Sequence, residues 1–222
     1  MEIKAVLFDC DGLMFETERI AKLIWTREAE RYGVDLPEDF FKRITGAGGE
    51  DNLRYMRSIP GLAEVLPQIR GKRFDLEFWG SIQKDCLNKE GLTELFFYLK
   101  ENGYRTAICS SSGKKYVETL LSTVSVELPY ECIVGGDMVK HAKPDPEIFL
   151  KGAESLGVIP SECLVLEDSK QGILAAKNAG MHSCFIPDTI EPDQEMDSAL
   201  EFRAVNLREV IGLLESLKRE DA

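Results

Sequence analysis

The chain has 222 residues, with 27 Lys+Arg against 39 Asp+Glu for a formal net charge of −12, and 44% of it is hydrophobic. That apolar fraction supports a sizeable core and is too high for a disordered chain, while the acidic balance argues against a nucleic-acid binder, which needs a basic surface to neutralise phosphates. No apolar run approaches the ~18–20 residues of a membrane span, and Met1-Glu2-Ile3-Lys4 does not open a secretory leader, so no membrane association and a cytoplasmic location are expected.

The first apolar run, Ala5-Val6-Leu7-Phe8, reads as a strand and leads straight into Asp9-Cys10-Asp11-Gly12. From residue 15 to residue 88 the pattern is helical throughout. Ile20, Leu23, Ile24 and Trp25 mark one helix, and Pro37, Phe40, Phe41 and Ile44 a second before Gly46. A third opens near Glu50, and a fourth runs from about residue 74 to 87. Trp25, Tyr32 and Phe78 read as packing within this block.

Beyond it, strands and helices alternate. Further apolar runs are Thr106-Ala107-Ile108-Cys109, Cys132-Ile133-Val134, Cys163-Leu164-Val165-Leu166 and Ser183-Cys184-Phe185-Ile186, with a weaker one at residues 202–205. Continuous apolar runs suit strands buried on both faces, as in a parallel sheet covered by helices. Between them, Leu92, Leu95, Phe96 and Leu99 keep a helical period and end at Gly103. Tyr116, Val117, Leu120 and Leu121 repeat it, as do Ile148, Phe149, Ala153 and Leu156, and then Ile173, Leu174, Ala176 and Ala179. The fold class predicted is α/β, a doubly wound, Rossmann-like parallel sheet. A helical stretch of about 74 residues exceeds an ordinary crossover, so residues 15–88 are expected to be an inserted all-helical domain, and residues 1–14 and 89–222 the core.

Six cysteines stand singly with no C-x-x-C pair, which reads as small buried hydrophobes in a reducing compartment. With only His141 and His182 present, a histidine-rich metal centre is excluded.

Chemistry concentrates where strands end. Asp9 and Asp11, two apart on extended chain, point to the same side at the C-terminal end of the first strand, where open parallel sheets bind ligands. Two carboxylates this close need a cation or proton between them, and hard oxygens favour Mg²⁺; a solvated Asp-rich loop is the plainer alternative. The second strand runs into Ser110-Ser111-Ser112-Gly113 before a helix, an arrangement that suits phosphate or simple capping. The fourth runs into Glu167-Asp168-Ser169, again before a helix, where acids also serve as helix-dipole partners. Lys143, in Lys143-Pro144-Asp145-Pro146, is a cation constrained by the following proline. Each signal has an ordinary structural explanation alone; their coincidence at three strand ends points to a phosphate site.

These motifs, in this order, resemble the haloacid dehalogenase superfamily, in its phosphatase and phosphomutase branch with a small helical cap inserted after the first strand. The segment Leu166-Glu167-Asp168-Ser169-Lys170-Gln171-Gly172 is especially similar. The resemblance implies Asp9 as a nucleophile forming an aspartyl-phosphate and Asp11 as general acid and then base. It implies Ser110, with Ser111, and Lys143 as phosphate-binding groups. It also implies a Mg²⁺ site of Asp9, the Asp11 backbone carbonyl and Asp168, with Glu167 a further ligand or a neighbour of the ligands. The substrate implied is a small phosphorylated metabolite, a sugar or polyol phosphate, and the protein a monomer or weak dimer.

Asp11 favours phosphate esters, because dehalogenating members need no acid and typically lack this second aspartate. Sugar phosphomutases of the branch carry a cap histidine and a cap-loop arginine; here Ala21 and Gly46-Ala47-Gly48-Gly49 stand at the aligned positions. A phosphatase is therefore expected, with a β-phosphoglucomutase-type mutase as the alternative and a phosphoryl-accepting or binding domain as a remoter one. Gly46, Gly49 and Arg43 are candidate cap contacts to substrate, with Arg54 or Lys72 as other sources of positive charge.

Overall fold

A computed structural model describes residues 2–44 and 49–220. The strands are β1 (Ala5–Phe8), β2 (Arg105–Ser110), β3 (Cys132–Gly135), β4 (Cys163–Glu167), β5 (His182–Phe185) and β6 (Phe202–Arg203). They form one parallel sheet in the order β3-β2-β1-β4-β5-β6. The chain reverses direction across the sheet on either side of β1, so the crevice outside the C-terminal ends of β1, β2 and β4 is the switch point where such sheets bind ligands.

The helices before the sheet resumes are α1 (Thr17–Arg31), α2 (Phe40–Ile44), α3 (Gly49–Ser58), α4 (Leu62–Arg73) and α5 (Leu76–Gly80). Those that follow are α6 (Leu92–Glu101), α7 (Lys114–Leu121), α8 (Glu147–Leu156), α9 (Lys170–Asn178), α10 (Gln194–Asp197) and α11 (Glu209–Glu220).

Alternation along β1 explains its wholly apolar sequence. Val6 and Phe8 enter one core with residues of α6, α7 and α11, whereas Ala5 and Leu7 enter another with α8 and α9. Phe8 stacks on Phe96 of α6 with ring centroids 4.4 Å apart. Close approach on the other face needs small residues: a Cβ on Gly152 of α8 would press on Leu7 Cδ2 at 3.0 Å.

A third apolar cluster, including Trp25, Phe40, Met56, Leu62 and Ile69, lies wholly within α1–α4. Trp79 of α5, by contrast, is buried in the sheet's own core and meets the Tyr116 ring of α7 edge-on at 5.7 Å. Two connections join the helical segment to the sheet. They lie side by side, with Phe15 bridged to Asn88, Glu16 N donating to Leu87 O (2.8 Å) and Lys89 N to Met14 O (3.0 Å).

Several expectations for this segment are corrected. The helix expected over residues 74–87 is only α5, capped by Asp75 and ended by turns in which Asp85 takes φ +61°. The chain instead forms α4 ahead of it, with Pro67 inside the helix. Leu23, assigned to the apolar stripe of α1, is exposed; the buried line is Thr17, Ala21, Trp25 and Ala29. Tyr32 and Phe78 are likewise partly exposed rather than packed away, while Trp25 does pack edge-on against Phe40 at 5.3 Å.

Candidate active site

Asp9 leaves β1 with its backbone still in the sheet, N–H to Leu166 O at 3.1 Å. The chain then turns at Gly12, whose φ of +84° disfavours any residue with a side chain. A Cβ there would also overlap Asp168 Oδ2 at the end of β4. The turn after β1 and the acid after β4 are thus brought into contact by the absence of one methyl group.

Lys143 is the hub. Its Nζ donates to Asp9 Oδ1 (2.6 Å), Glu167 Oε1 (2.6 Å) and the Cys109 carbonyl (3.2 Å), one acceptor for each ammonium proton. The side chain is 5% exposed and lies 4.7 Å from the Phe149 ring centroid. Glu167 is completely enclosed, and its other oxygen accepts from Asp168 N (3.0 Å), Ser169 N (2.9 Å) and Ser169 Oγ (2.8 Å). Both oxygens are engaged, and Glu167 is no part of the cavity wall. Glu167 therefore packs against Lys143 as a support of that cation.

The electrostatics follow from burial. Burial pushes the Asp9 carboxyl up to about 7, with Lys143 pulling it down and Glu167 adding to the rise. Asp168 is held well above the usual carboxylate range by burial and by the charges of Glu167, Asp9 and Asp188. For Lys143, burial opposes the charge, but Asp9 and Glu167 outweigh it and its pKa is raised. The carboxylates at this end of the sheet outnumber their cations. Asp9 and Asp168, both lining the cavity, are hard-oxygen groups that could hold a divalent ion.

Asp11 is held differently, by hydroxyls. Thr17 Oγ1 and Ser112 Oγ each donate to it at 2.7 Å, and Tyr116 OH lies at 3.4 Å. Hydroxyls both donate and accept, so this set can hold the carboxyl in either protonation state. Thr17 is the first residue of α1, which ties the acid to the helical segment. Ser110 is buried, and its Oγ accepts from Ser112 N (3.0 Å), leaving the hydroxyl proton free to donate. The loop carrying it lies on Gly135 and Gly136, where added Cβ atoms would overlap Lys114 N and Ser111 O.

Asp9, Asp11, Ser110, Ser111, Ser112, Lys143 and Asp168 all line a single cavity of about 510 Å³. Its other wall is helical: Glu18, Ala21, Lys22 and Trp25 of α1, Phe41 and Ile44 of α2, Asn52, Leu53 and Met56 of α3, Arg70 of α4, and Phe74. Neither Lys22 nor Arg70 pairs with a carboxylate among the described residues, although the chain is strongly acidic. Arg43 does not reach the cavity; its guanidinium pairs with Asp39 (2.8 Å) and lies 5.0 Å from the Tyr55 ring centroid. Gly46 lies outside the described residues, and Gly49 is the first residue of α3.

Thr17, Lys22, Arg70, Ser112 and Tyr116 were not singled out by sequence. Ser112 sits in the serine cluster and had a local signal; the others are ordinary helical positions that only tertiary packing directs to the site.

The family model for haloacid dehalogenase-like hydrolases matches residues 6–186. The chain belongs to that family. A phosphorylated carbohydrates phosphatase of Thermotoga maritima is 31% identical over 183 residues, which is 82% of this chain and 84% of that protein. A beta-phosphoglucomutase of Bacillus subtilis is 30% identical, over 81% of each chain. Among solved structures, a variant of CbbY from Rhodobacter sphaeroides in complex with xylulose-(1,5)bisphosphate superposes with TM-score 0.74 at 25% identity. It covers 93% of this chain and 96% of its own. The sheet order and flanking helices described above are those of this hydrolase family's α/β fold.

Proposed function

We propose that this hydrolase is a Mg²⁺-dependent phosphatase of a small phosphorylated metabolite, a sugar or polyol phosphate, acting through an aspartyl-phosphate on Asp9. The convergence of Asp9, Ser110, Lys143 and Asp168 on one cavity beneath a helical wall carries this reading. In the first step an Asp9 oxygen bonds to phosphorus while the bond to the leaving oxygen breaks, and Asp11 protonates that oxygen. In the second, water attacks the same phosphorus, Asp11 takes its proton, and the bond to Asp9 breaks to release phosphate. Ser110 donates to a phosphoryl oxygen, and Lys143 offsets the negative charge that gathers on Asp9 and the transferring group. Glu167 holds Lys143 in place.

The residues fit a divalent cation. The donors are hard oxygens, Gly12 leaves space where any side chain would intrude on Asp168, and a buried carboxylate oxygen of Asp188 beside them lacks a partner. Held by Asp9, Asp168 and the Asp11 carbonyl, Mg²⁺ would neutralise charge between the nucleophile and the phosphoryl oxygens.

Residues 15–88 are read as a cap over this site, with Thr17 linking it to Asp11 and with Lys22 and Arg70 supplying positive charge that no carboxylate among the described residues pairs. Those two cations suit a substrate with a second anionic group besides the scissile phosphate. Hydrolysis is favoured over mutase action because Ala21 lines the cavity with a methyl group, at the position where the sugar phosphomutases of the branch carry a histidine. A panel of sugar, polyol and bisphosphate esters with Mg²⁺ tests this. Inorganic phosphate should be released, and Asp9→Asn should abolish release while the protein stays folded. Isomerised sugar phosphate without net release would establish a mutase instead.

A further inference from the structure

The loop after β5 carries a carboxylate that the steps above do not use. Asp188 is largely buried, and its Oδ1 accepts a 2.7 Å bond from Lys89 Nζ, on the connection returning from α5 to the sheet. Its Oδ2 is shut off from solvent and has no hydrogen-bond partner. That oxygen lies 3.3 Å from where a Cβ on Gly12 would stand, and Asp168 Oδ2 lies 2.2 Å from the same point. Two carboxylate oxygens therefore converge on the space that Gly12 leaves, with no hydrogen bond to either among the described residues. The neighbouring cations are already committed: Lys143 has three acceptors, and Lys89 serves the opposite oxygen of Asp188.

A charged oxygen withdrawn from water is unfavourable unless a donor reaches it. Mg²⁺ binds protein through few carboxylates and keeps several waters, whose polarised protons point outward from the ion. We infer that Asp188 is a positioning residue of the metal centre: its Oδ2 accepts a hydrogen bond from a water in the shell of an ion bound at Asp168, while Lys89 fixes its orientation. The inference rests on the Mg²⁺ reading above. It gives Lys89, and with it the connection between the helical segment and the sheet, a stake in metal binding. Outer-shell acceptors of this kind typically alter metal affinity by about 10- to 100-fold.

The test is calorimetric titration of metal-free protein with MgCl2, for wild type, Asp188→Asn and Asp188→Ala, alongside the thermal midpoint of each metal-free form. At least a tenfold rise in Kd in both variants is expected, with the metal-free midpoint of Asp188→Asn no lower than wild type. Kd values within twofold of wild type would overturn the inference and leave Asp188 a plain ion-pair partner of Lys89. If Asp188→Ala does not fold, the shape-conserving Asn variant decides alone. Wild-type protein that takes up no Mg²⁺ would instead remove the metal reading, and this inference with it.

Discussion

Glu167→Gln separates a support for Lys143 from a ligand for a metal. The substitution keeps the shape of a fully enclosed side chain, so no cavity is created. It removes one of two carboxylates neutralising an ammonium group that is itself buried. The new amide must also aim its NH2 either at Lys143 or at the N–H groups of Asp168 and Ser169, and both choices set donor against donor. Breaking a buried ion pair by removing one partner costs about 3–5 kcal/mol. At about 2–4 °C per kcal/mol for a chain of this size, the midpoint of metal-free protein should fall by roughly 10 °C. Scanning calorimetry in EDTA reads this directly, and phosphate release should drop at least about 100-fold as Lys143 loses its position. A metal-ligand role predicts the opposite for metal-free protein, because deleting a charge beside Asp9 and Asp168 would relieve repulsion. A midpoint within about 2 °C of wild type, or above it, would refute the support role.

Gly12→Ala should cost more in function than in stability: a side chain at φ +84° adds strain of about 1–2 kcal/mol, and its overlap with Asp168 should cut phosphate release at least tenfold in a steady-state assay. For metal-free protein, the Asp9 carboxyl near 7 means that the native state keeps a proton the unfolded chain has lost between about pH 4 and pH 7. Asp9 therefore lowers stability as pH rises through that window, by about 1.4 kcal/mol per unit; urea unfolding in EDTA should show the slope in wild type and its reduction in Asp9→Asn. Arg70→Gln and Lys22→Met should each raise KM about tenfold or more for a substrate with a second anion, with a much smaller rise for p-nitrophenyl phosphate. Equal rises for both compounds would mean that the two cations do not read a second anion.

The core was legible because its local and tertiary preferences agree. A strand such as Ala5–Phe8, buried on both faces, leaves no other period for its residues to follow, and Gly103 and Gly157 end helices in the left-handed conformation that glycine favours. Asp9, Ser110 and Asp168 could be found because each follows an apolar run that fixes where the strand ends. The helical segment was harder to read. Pro67 and Gly71 look like breaks in the sequence, yet α4 runs through both, held by Leu62, Leu66 and Ile69 in the cluster shared with α1 and α3. Glu167 shows the limit most plainly. Next to Asp168 in sequence, it shares that residue's chemistry, and only tertiary packing, which encloses Glu167 against Lys143 and leaves Asp168 on the cavity wall, separates the two.

Burial and charge are set against each other at this end of the sheet. Asp9, Asp11, Glu167, Asp168 and Asp188 stand against two ammonium groups, Lys143 and Lys89. With every group ionised, negative charge remains uncompensated where, on the mechanism proposed, a phosphate dianion would bind. Protein alone resolves this by taking up protons, and the raised carboxyls of Asp9 and Asp168 are that response. A protonated Asp9 could not serve as the nucleophile proposed for it, so this resolution and that reaction exclude one another. A divalent cation would offset most of that excess and leave Asp9 ionised. On the mechanism proposed, such an ion would both screen the substrate and keep Asp9 in its reactive form.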